Sequence, residues 1–264
     1  MKVLVACEES QRVCIEFRKL GHEAYSCDII DCSGDHPEWH IKQDVLKILN
    51  GHCNFMTTDG AEHSILGRWD MVIAFPPCTY ITNAGAVRMR VKGEIVKERY
   101  EKALLAKEFF LKMLHADCDR VAVENPTPMK LIGLPQYSQV IQPYQFGHAY
   151  SKRTCLWLKG LPALRPTKIM DHHEPYVNGG FKDKNGIYKK FKGRRERDPK
   201  ERSKTFEGIA RAMAVQWGGI LTEKDGEEQK RGTQIKKGVA PGELRKCHGS
   251  GPGKGIEKGL LKRG

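Results

Sequence analysis

Trp69–Thr82 reads WDMVIAFPPCTYIT, and its middle decides the fold. Met71 to Phe75 is an unbroken run of apolar, β-rich residues, the pattern of a strand buried on both faces rather than one side wet. Pro76 and Pro77 end it, because a proline has no N–H to give to a sheet ladder. Cys78 therefore stands where a buried parallel strand gives way to a loop, the side of an open α/β sheet where ligands bind. A cysteine there is a candidate nucleophile, since the thiolate is among the strongest nucleophiles a protein carries.

The flanking sequence repeats the pattern. Lys2–Ala6 (KVLVA) is a second apolar strand, followed by a helix over 13–20 with Val13, Phe17 and Leu20 at helical spacing and Gly21 as its stop. Residues 23–30 (EAYSCDII) form the next strand, with Asp28 near its C-terminal end. A β-α-β unit of about 30 residues is the nucleotide-fold building block. A carboxylate at that strand tip accepts hydrogen bonds from the two ribose hydroxyls of an adenosine-bearing cofactor. The glycine-rich phosphate turn is absent, and Cys7-Glu8-Glu9-Ser10-Gln11 stands in its place. Two carboxylates repel a pyrophosphate. A cofactor without phosphates and cationic at its reactive centre suits this turn, and S-adenosylmethionine has that chemistry. Asp44, at the end of the next short extended run, is placed to meet the adenine.

Beyond Cys78, residues 95–114 carry the longest amphipathic helix pattern, with Ala103, Ala106, Phe110, Met113 and Leu114 as its buried stripe. Residues 120–123 (RVAV) form another buried strand, ending at Glu124-Asn125-Pro126. Two strand ends thus bring Cys78 and Glu124 to one side of one sheet, as a nucleophile and a proton-donating acid require. Residues 139–158 read as a strand, a polar turn carrying Lys152 and Arg153, and a returning strand. Residues 202–221 read as a terminal amphipathic helix stopped by Gly218-Gly219.

Length and charge narrow the class. The 264 residues support one full core. The formal net charge of +13 favours a polyanionic partner. The Gly/Lys-rich stretch from Thr222 holds +5 of that charge and few large apolar side chains, as a disordered tail does. No apolar run is long enough to span a membrane, and the N-terminus lacks a signal peptide's apolar core. The protein is therefore expected in the cytoplasm, with its nine cysteines reduced rather than bridged. Cys32, His36, His40 and Cys53 lack the tight ligand pairs of a structural zinc site, so no metal is expected. Basic residues interleaved with aromatics over 181–195, Lys190, Lys192, Arg194 and Arg195 among them, suit phosphate contacts and base stacking.

FPPC and ENP, each closing a buried strand and followed by a basic hairpin and a terminal helix, resemble the cytosine-C5 DNA methyltransferase family. The likeness is to its short, stand-alone phage type, and runs from about Lys2 to Leu221. It implies a Rossmann-like methyltransferase sheet with helices on both faces as one domain over 1–221, with 161–201 as a reduced DNA-contact region and 222–264 as the basic tail. The cofactor it implies is S-adenosylmethionine, contacted by Cys7, Glu8, Asp28, Ile29, Asp44, Phe75 and Pro76. Cys78 matches the nucleophile that adds to cytosine C6, and Glu124 the residue holding the ring through N3 and the exocyclic amine. Lys152 or Arg153 matches the basic hairpin supporting the flipped base, while Pro77 and Asn125 border the substrate. The implied partner is double-stranded DNA, bound by a monomer, in a bacterial host cell if the gene is phage-borne. The sequence departs from the family in its first turn, in Tyr150-Ser151-Lys152-Arg153-Thr154 where the family carries Gln-x-Arg-x-Arg, in Ile209 where it carries asparagine, and in lacking a large target-recognition domain. Two rivals stay open: a nucleic-acid-binding protein on a degenerate methyltransferase fold without turnover, and an enzyme on the same fold that methylates RNA or adds another one-carbon unit to cytosine.

Overall fold

The computed structural model describes residues 1–176, 180–182, 185, 187–190 and 198–219. The tail expected from Thr222, and Lys192, Arg194 and Arg195, lie outside the described residues. Seven strands form the central sheet: β1 (Lys2–Ala6), β2 (Glu23–Asp28), β3 (His40–Lys42), β4 (Met71–Ala74), β5 (Val121–Pro126), β6 (Gln139–Ile141) and β7 (Thr154–Lys159). Their spatial order is β6-β7-β5-β4-β1-β2-β3. β1 pairs in parallel with both β2 and β4, and β4 pairs in parallel with β5. β7 is antiparallel to its neighbours β5 and β6. The first five strands therefore follow the doubly wound order, and the reversal beside β1 creates the crevice in which such sheets bind ligands. This is the Rossmann-like α/β architecture expected from the apolar runs.

The burial pattern explains why the strands read as continuous apolar stretches. Leu4, Ala6, Val72, Val121 and Val123 pack with Ala103, Phe110 and Met113 of helix α2 (Lys97–Leu114). Val3, Val5, Met71, Ile73 and Ala122 face the other way, onto Val13 and Phe17 of α1 (Arg12–Lys19) and the C-terminal helices. Both faces are covered, so neither side of β1 or β4 tolerates a polar residue. Phe110 and Trp157 meet edge to face at 4.8 Å under α2.

The terminal helix departs from expectation. Residues 202–221 do not form one rod. Instead α3 (Pro199–Ser203) ends at Lys204, and α4 (Glu207–Met213) starts after Phe206 and continues as a π-helical turn through Gly218. Thr205 and Phe206 hold the break, with Phe206 buried against His148, Tyr150 and Tyr176. The hairpin Cys53–Met56/Glu62–Ile65 is a second element outside the sequence reading. Among the described residues, no helix is long and apolar enough to cross a membrane.

Candidate active site

The first turn answers the phosphate question. Glu8 is 4% exposed, and its carboxylate accepts the amide N–H groups of Val13 (2.8 Å) and Cys14 (3.2 Å) at the start of α1. A helix N-terminus of this kind is where dinucleotide folds seat a pyrophosphate. Here the chain's own carboxylate fills that position, so Glu8 caps α1 and is not offered to a ligand. Burial pushes its pKa up to about 7, against the pull of the two amides. Gln11, fully buried and at φ 58°, then fastens the loop over 29–39 by donating to Ser26 Oγ and His36 O and accepting from His36 N–H. A Cβ on Gly34 would sit 2.7 Å from the Gln11 Cβ, so the loop closes onto this turn only with glycine there.

That loop carries the second group of predicted residues. Asp28 Oδ1 accepts the Ile29 N–H at 2.7 Å and the Ile30 N–H at 3.4 Å, while Oδ2 has no partner among the described residues. Burial raises the Asp28 carboxyl above its ordinary range. Ile29 beside it is 73% exposed, an apolar side chain held out at a ligand-binding crevice. Asp44 Oδ1 receives the Leu46 N–H at 3.0 Å. The thiol of Cys7 is driven upward by burial first, then by the nearby Asp28, Cys27 and Asp44 charges. Cys7, Asp28 and Asp44 therefore share one neighbourhood at the C-terminal ends of β1, β2 and β3. His40 is buried with Nδ1 at 2.9 Å from Ser26 Oγ and Nε2 at 2.9 Å from the Ile30 carbonyl, both nitrogens engaged by the protein. No group of three or more metal-ligating side chains occurs among the described residues.

The third group converges from β4, β5 and β7. The loop after Cys78 and the loop after β5 are stitched side by side. Asn83 N–H donates to Thr127 O at 2.9 Å, Met129 N–H to Ile81 O at 2.8 Å, and Asn125 Nδ2 to Pro76 O at 3.4 Å. The Cys78 carbonyl accepts from Ile81 and Thr82 N–H, which fixes the cysteine at the head of a tight turn. Proline explains the geometry: Pro76 is buried and offers only a carbonyl, which the Asn125 amide takes. Pro77 is exposed.

Beside this junction lies a cleft lined by Phe75, Glu124, Lys152, Thr154, Ser203, Thr205, Phe206, Ile209 and Met213. The Glu124 carboxyl makes no hydrogen bond among the described residues, and burial raises its pKa while the Lys152 charge opposes the rise. A carboxyl shifted upward by burial is better suited to donating a proton than an exposed one. Burial and the Glu124 charge raise the half-buried Cys78 thiol, and Lys152 and Arg202 pull it back down. The Glu124 charge thus reaches Cys78, and Lys152 acts on both groups.

Alternation along the hairpin separates the basic pair. Lys152 turns into the cleft, its Nζ donating to the Arg202 carbonyl at 2.8 Å and its N–H to Gln142 Oε1 at 2.9 Å. Arg153 turns away and donates to Thr127 Oγ1 and the Tyr137 hydroxyl. Thr154 returns to the cleft wall. Sequence reasoning missed Ser203 and Thr205, which line the cleft only because the terminal helix breaks between α3 and α4. The side chain of Lys190 is outside the described residues, although its backbone lies in the short ladder Gly180–Lys182/Tyr188–Lys190.

No family model and no curated protein matches the chain. Among solved structures, one chain it is similar to is assigned as a DNA modification methyltransferase encoded within an E. coli prophage. That match has a TM-score of 0.37 at 12% identity and covers 64% of this chain and 52% of the other. Another is the methyltransferase EhMeth of Entamoeba histolytica, with a TM-score of 0.38 at 14% identity, covering 64% and 57% respectively. The chain spans little more than half the length of these structures.

Proposed function

We propose that the protein transfers a methyl group from S-adenosylmethionine to C5 of cytosine in DNA through a covalent Cys78 adduct. The observation that carries the reading is the meeting of Cys78 and Glu124 from the adjacent parallel strands β4 and β5, with Lys152 facing both. Cytosine C5 is a weak nucleophile and must first receive electron density. Cys78 Sγ forms a bond to C6, the C5–C6 π pair moves toward N3, and N3 takes the Glu124 proton. C5 of the resulting enamine takes the methyl group, a base removes the C5 proton, and the cysteine leaves by elimination. Burial shifts the Glu124 carboxyl above its ordinary range, the direction in which this step needs it. Reaching C6 inside a duplex needs the base to swing out of the stack.

The cofactor half rests on the fit of the donor set. Asp28 Oδ2 is left for ribose hydroxyls, Ile29 offers an apolar face to an adenine, and the capped α1 N-terminus refuses a phosphate. Bound there, S-adenosylmethionine supplies the methyl group as a sulfonium. The substrate half is tested with a duplex containing 5-fluorocytosine, whose fluorine blocks the last proton removal. Wild-type protein and cofactor should yield a stable protein–DNA adduct that maps to the Cys78 peptide and is absent from Cys78→Ala. Methyl transfer to DNA by a protein that never forms this adduct would overturn the mechanism.

A further inference from the structure

We propose that Arg202 is a further substrate-contacting residue, whose buried Nε–H donates to the C2 carbonyl oxygen of the flipped pyrimidine. This rests on the methyltransferase reading and adds the one ring contact that Cys78, Glu124 and Lys152 leave open. A cytosine ring presents an amine, a ring nitrogen and a carbonyl along its hydrogen-bonding edge. Glu124 suits the first two, and the carbonyl needs a donor. Lys152 is the cation that lines the cleft, and Arg202 lies next to it, in the chain segment that forms the wall. The Lys152 ammonium is tied to the Arg202 carbonyl at 2.8 Å, which places the 202 backbone against the cleft wall. Ser203, the next residue, lines the same cleft as Glu124.

The Arg202 Nε is buried and has no hydrogen-bond partner among the described residues. A buried donor left unmatched is costly and calls for an explanation such as a ligand. Arg202 is also held firmly. Its own N–H donates to Asp198 O at 3.0 Å inside α3, and the Tyr176 ring packs on Phe206 just beyond it. Its charge is felt at Cys78, lowering the thiol. The chemistry gives that placement a purpose. When Cys78 adds to C6, electron density moves onto N3 and, through the adjoining amide, onto O2. A donor held at O2 would stabilise that charge without reorganising. Arg153 on the hairpin does not supply this donor, because it bonds Thr127 Oγ1 and the Tyr137 hydroxyl. The donor instead arrives from the C-terminal segment.

The test compares wild type, Arg202→Lys and Arg202→Met in single-turnover adduct formation with a 5-fluorocytosine duplex, over a pH series, with melting temperature and cofactor affinity recorded for each. The expected result is a wild-type adduct, and at least a 100-fold slower one in both variants at every pH, with folding and cofactor binding retained. Rescue by Arg202→Lys, or by raising the pH, would show a charge acting on the thiol alone and would overturn the O2 contact. Wild-type rates in Arg202→Met would overturn it as well. Absence of any adduct in the wild type would instead remove the methyltransferase reading on which the inference stands. Should Arg202→Met fail to fold, Arg202→Lys against a duplex carrying 2-thiocytosine, a poor acceptor at that position, supplies the comparison. The contact predicts that the wild type loses at least tenfold on that duplex relative to cytosine, and that the lysine variant loses little further. An equal relative loss in both proteins would contradict it.

Discussion

Replacing Lys152 with methionine removes the one side-chain cation that faces both Cys78 and Glu124. Methionine keeps most of the stem's volume and apolar packing, so the change isolates the charge and the Nζ bond to the Arg202 carbonyl. That bond's loss costs about 1 kcal/mol of stability. The electrostatic effect is larger in consequence. Lys152 lowers the Cys78 thiol and opposes the rise at Glu124, so without it both groups titrate at higher pH. A cation within about 4–6 Å is worth roughly 1–3 pKa units, and a half-exposed thiol calls for the low end, about one unit. One unit is about 1.4 kcal/mol, or a tenfold smaller thiolate fraction at any pH below the midpoint. The assay is the pH dependence of Cys78 alkylation by iodoacetamide, read by peptide mass spectrometry. The midpoint should move up by about one unit in Lys152→Met and stay near wild type in Lys152→Arg. Superimposable midpoints for wild type and Lys152→Met, at matched folding, would refute the reasoning that this cation tunes the nucleophile.

Three further outcomes follow from the geometry. Asp28→Ala should weaken S-adenosylmethionine binding by about 1.5–3 kcal/mol in calorimetry, because a charged acceptor is lost from the ribose site; unchanged affinity would place the cofactor elsewhere. His148 Nε2 accepts the Gly208 N–H at 2.9 Å in front of α4, and burial lowers its pKa. The unfolded chain therefore takes up a proton first as the pH falls. The stability His148 contributes is full above the ordinary histidine value of about 6.5 and is lost as the pH drops through the lowered one, with His22 acting in the same direction. Chemical denaturation at pH 7.5 and 5 should show that loss, smaller in His148→Gln, and an equal loss in both proteins would clear His148. Neutralising Lys190, Lys192, Arg194 and Arg195 should reduce the slope of log affinity for DNA against log salt by up to about 3.6 without changing cofactor affinity. With little chain to read base edges, the recognised site should be two to four base pairs, and sequencing that showed a strict site of six or more would contradict this.

The parts of the molecule that follow from backbone rules were readable in the chain. KVLVA gives β1 over its full length, Lys2–Ala6, and FPPC gives a strand stop because two successive prolines leave no other choice. ENP was read as the end of β5, yet the ladder continues through Pro126 because β7 pairs from its other side. Features that depend on partners remote in sequence were not readable. Glu8 looks like a loop carboxylate until α1 turns its amides toward it. The choice between Lys152 and Arg153 depends on which way the hairpin faces, a one-residue register that composition does not encode. The amphipathic stretch 202–221 has helical spacing throughout, but burial of Phe206 among His148, Tyr150 and Tyr176 outweighs helix propensity and breaks it. That break brings Ser203 and Thr205 to the cleft, so the same tertiary contact hid both the helix boundary and these two residues.

The central claim is that this chain methylates cytosine at C5 with Cys78 as the nucleophile. Nucleoside mass spectrometry of DNA from cells expressing the wild type, Cys78→Ser or Glu124→Gln tests it most directly. The account predicts 5-methylcytosine above background with the wild type alone, the variants falling at least about 10³-fold in rate. Wild-type DNA without 5-methylcytosine, or an equal yield from Cys78→Ser, would contradict it.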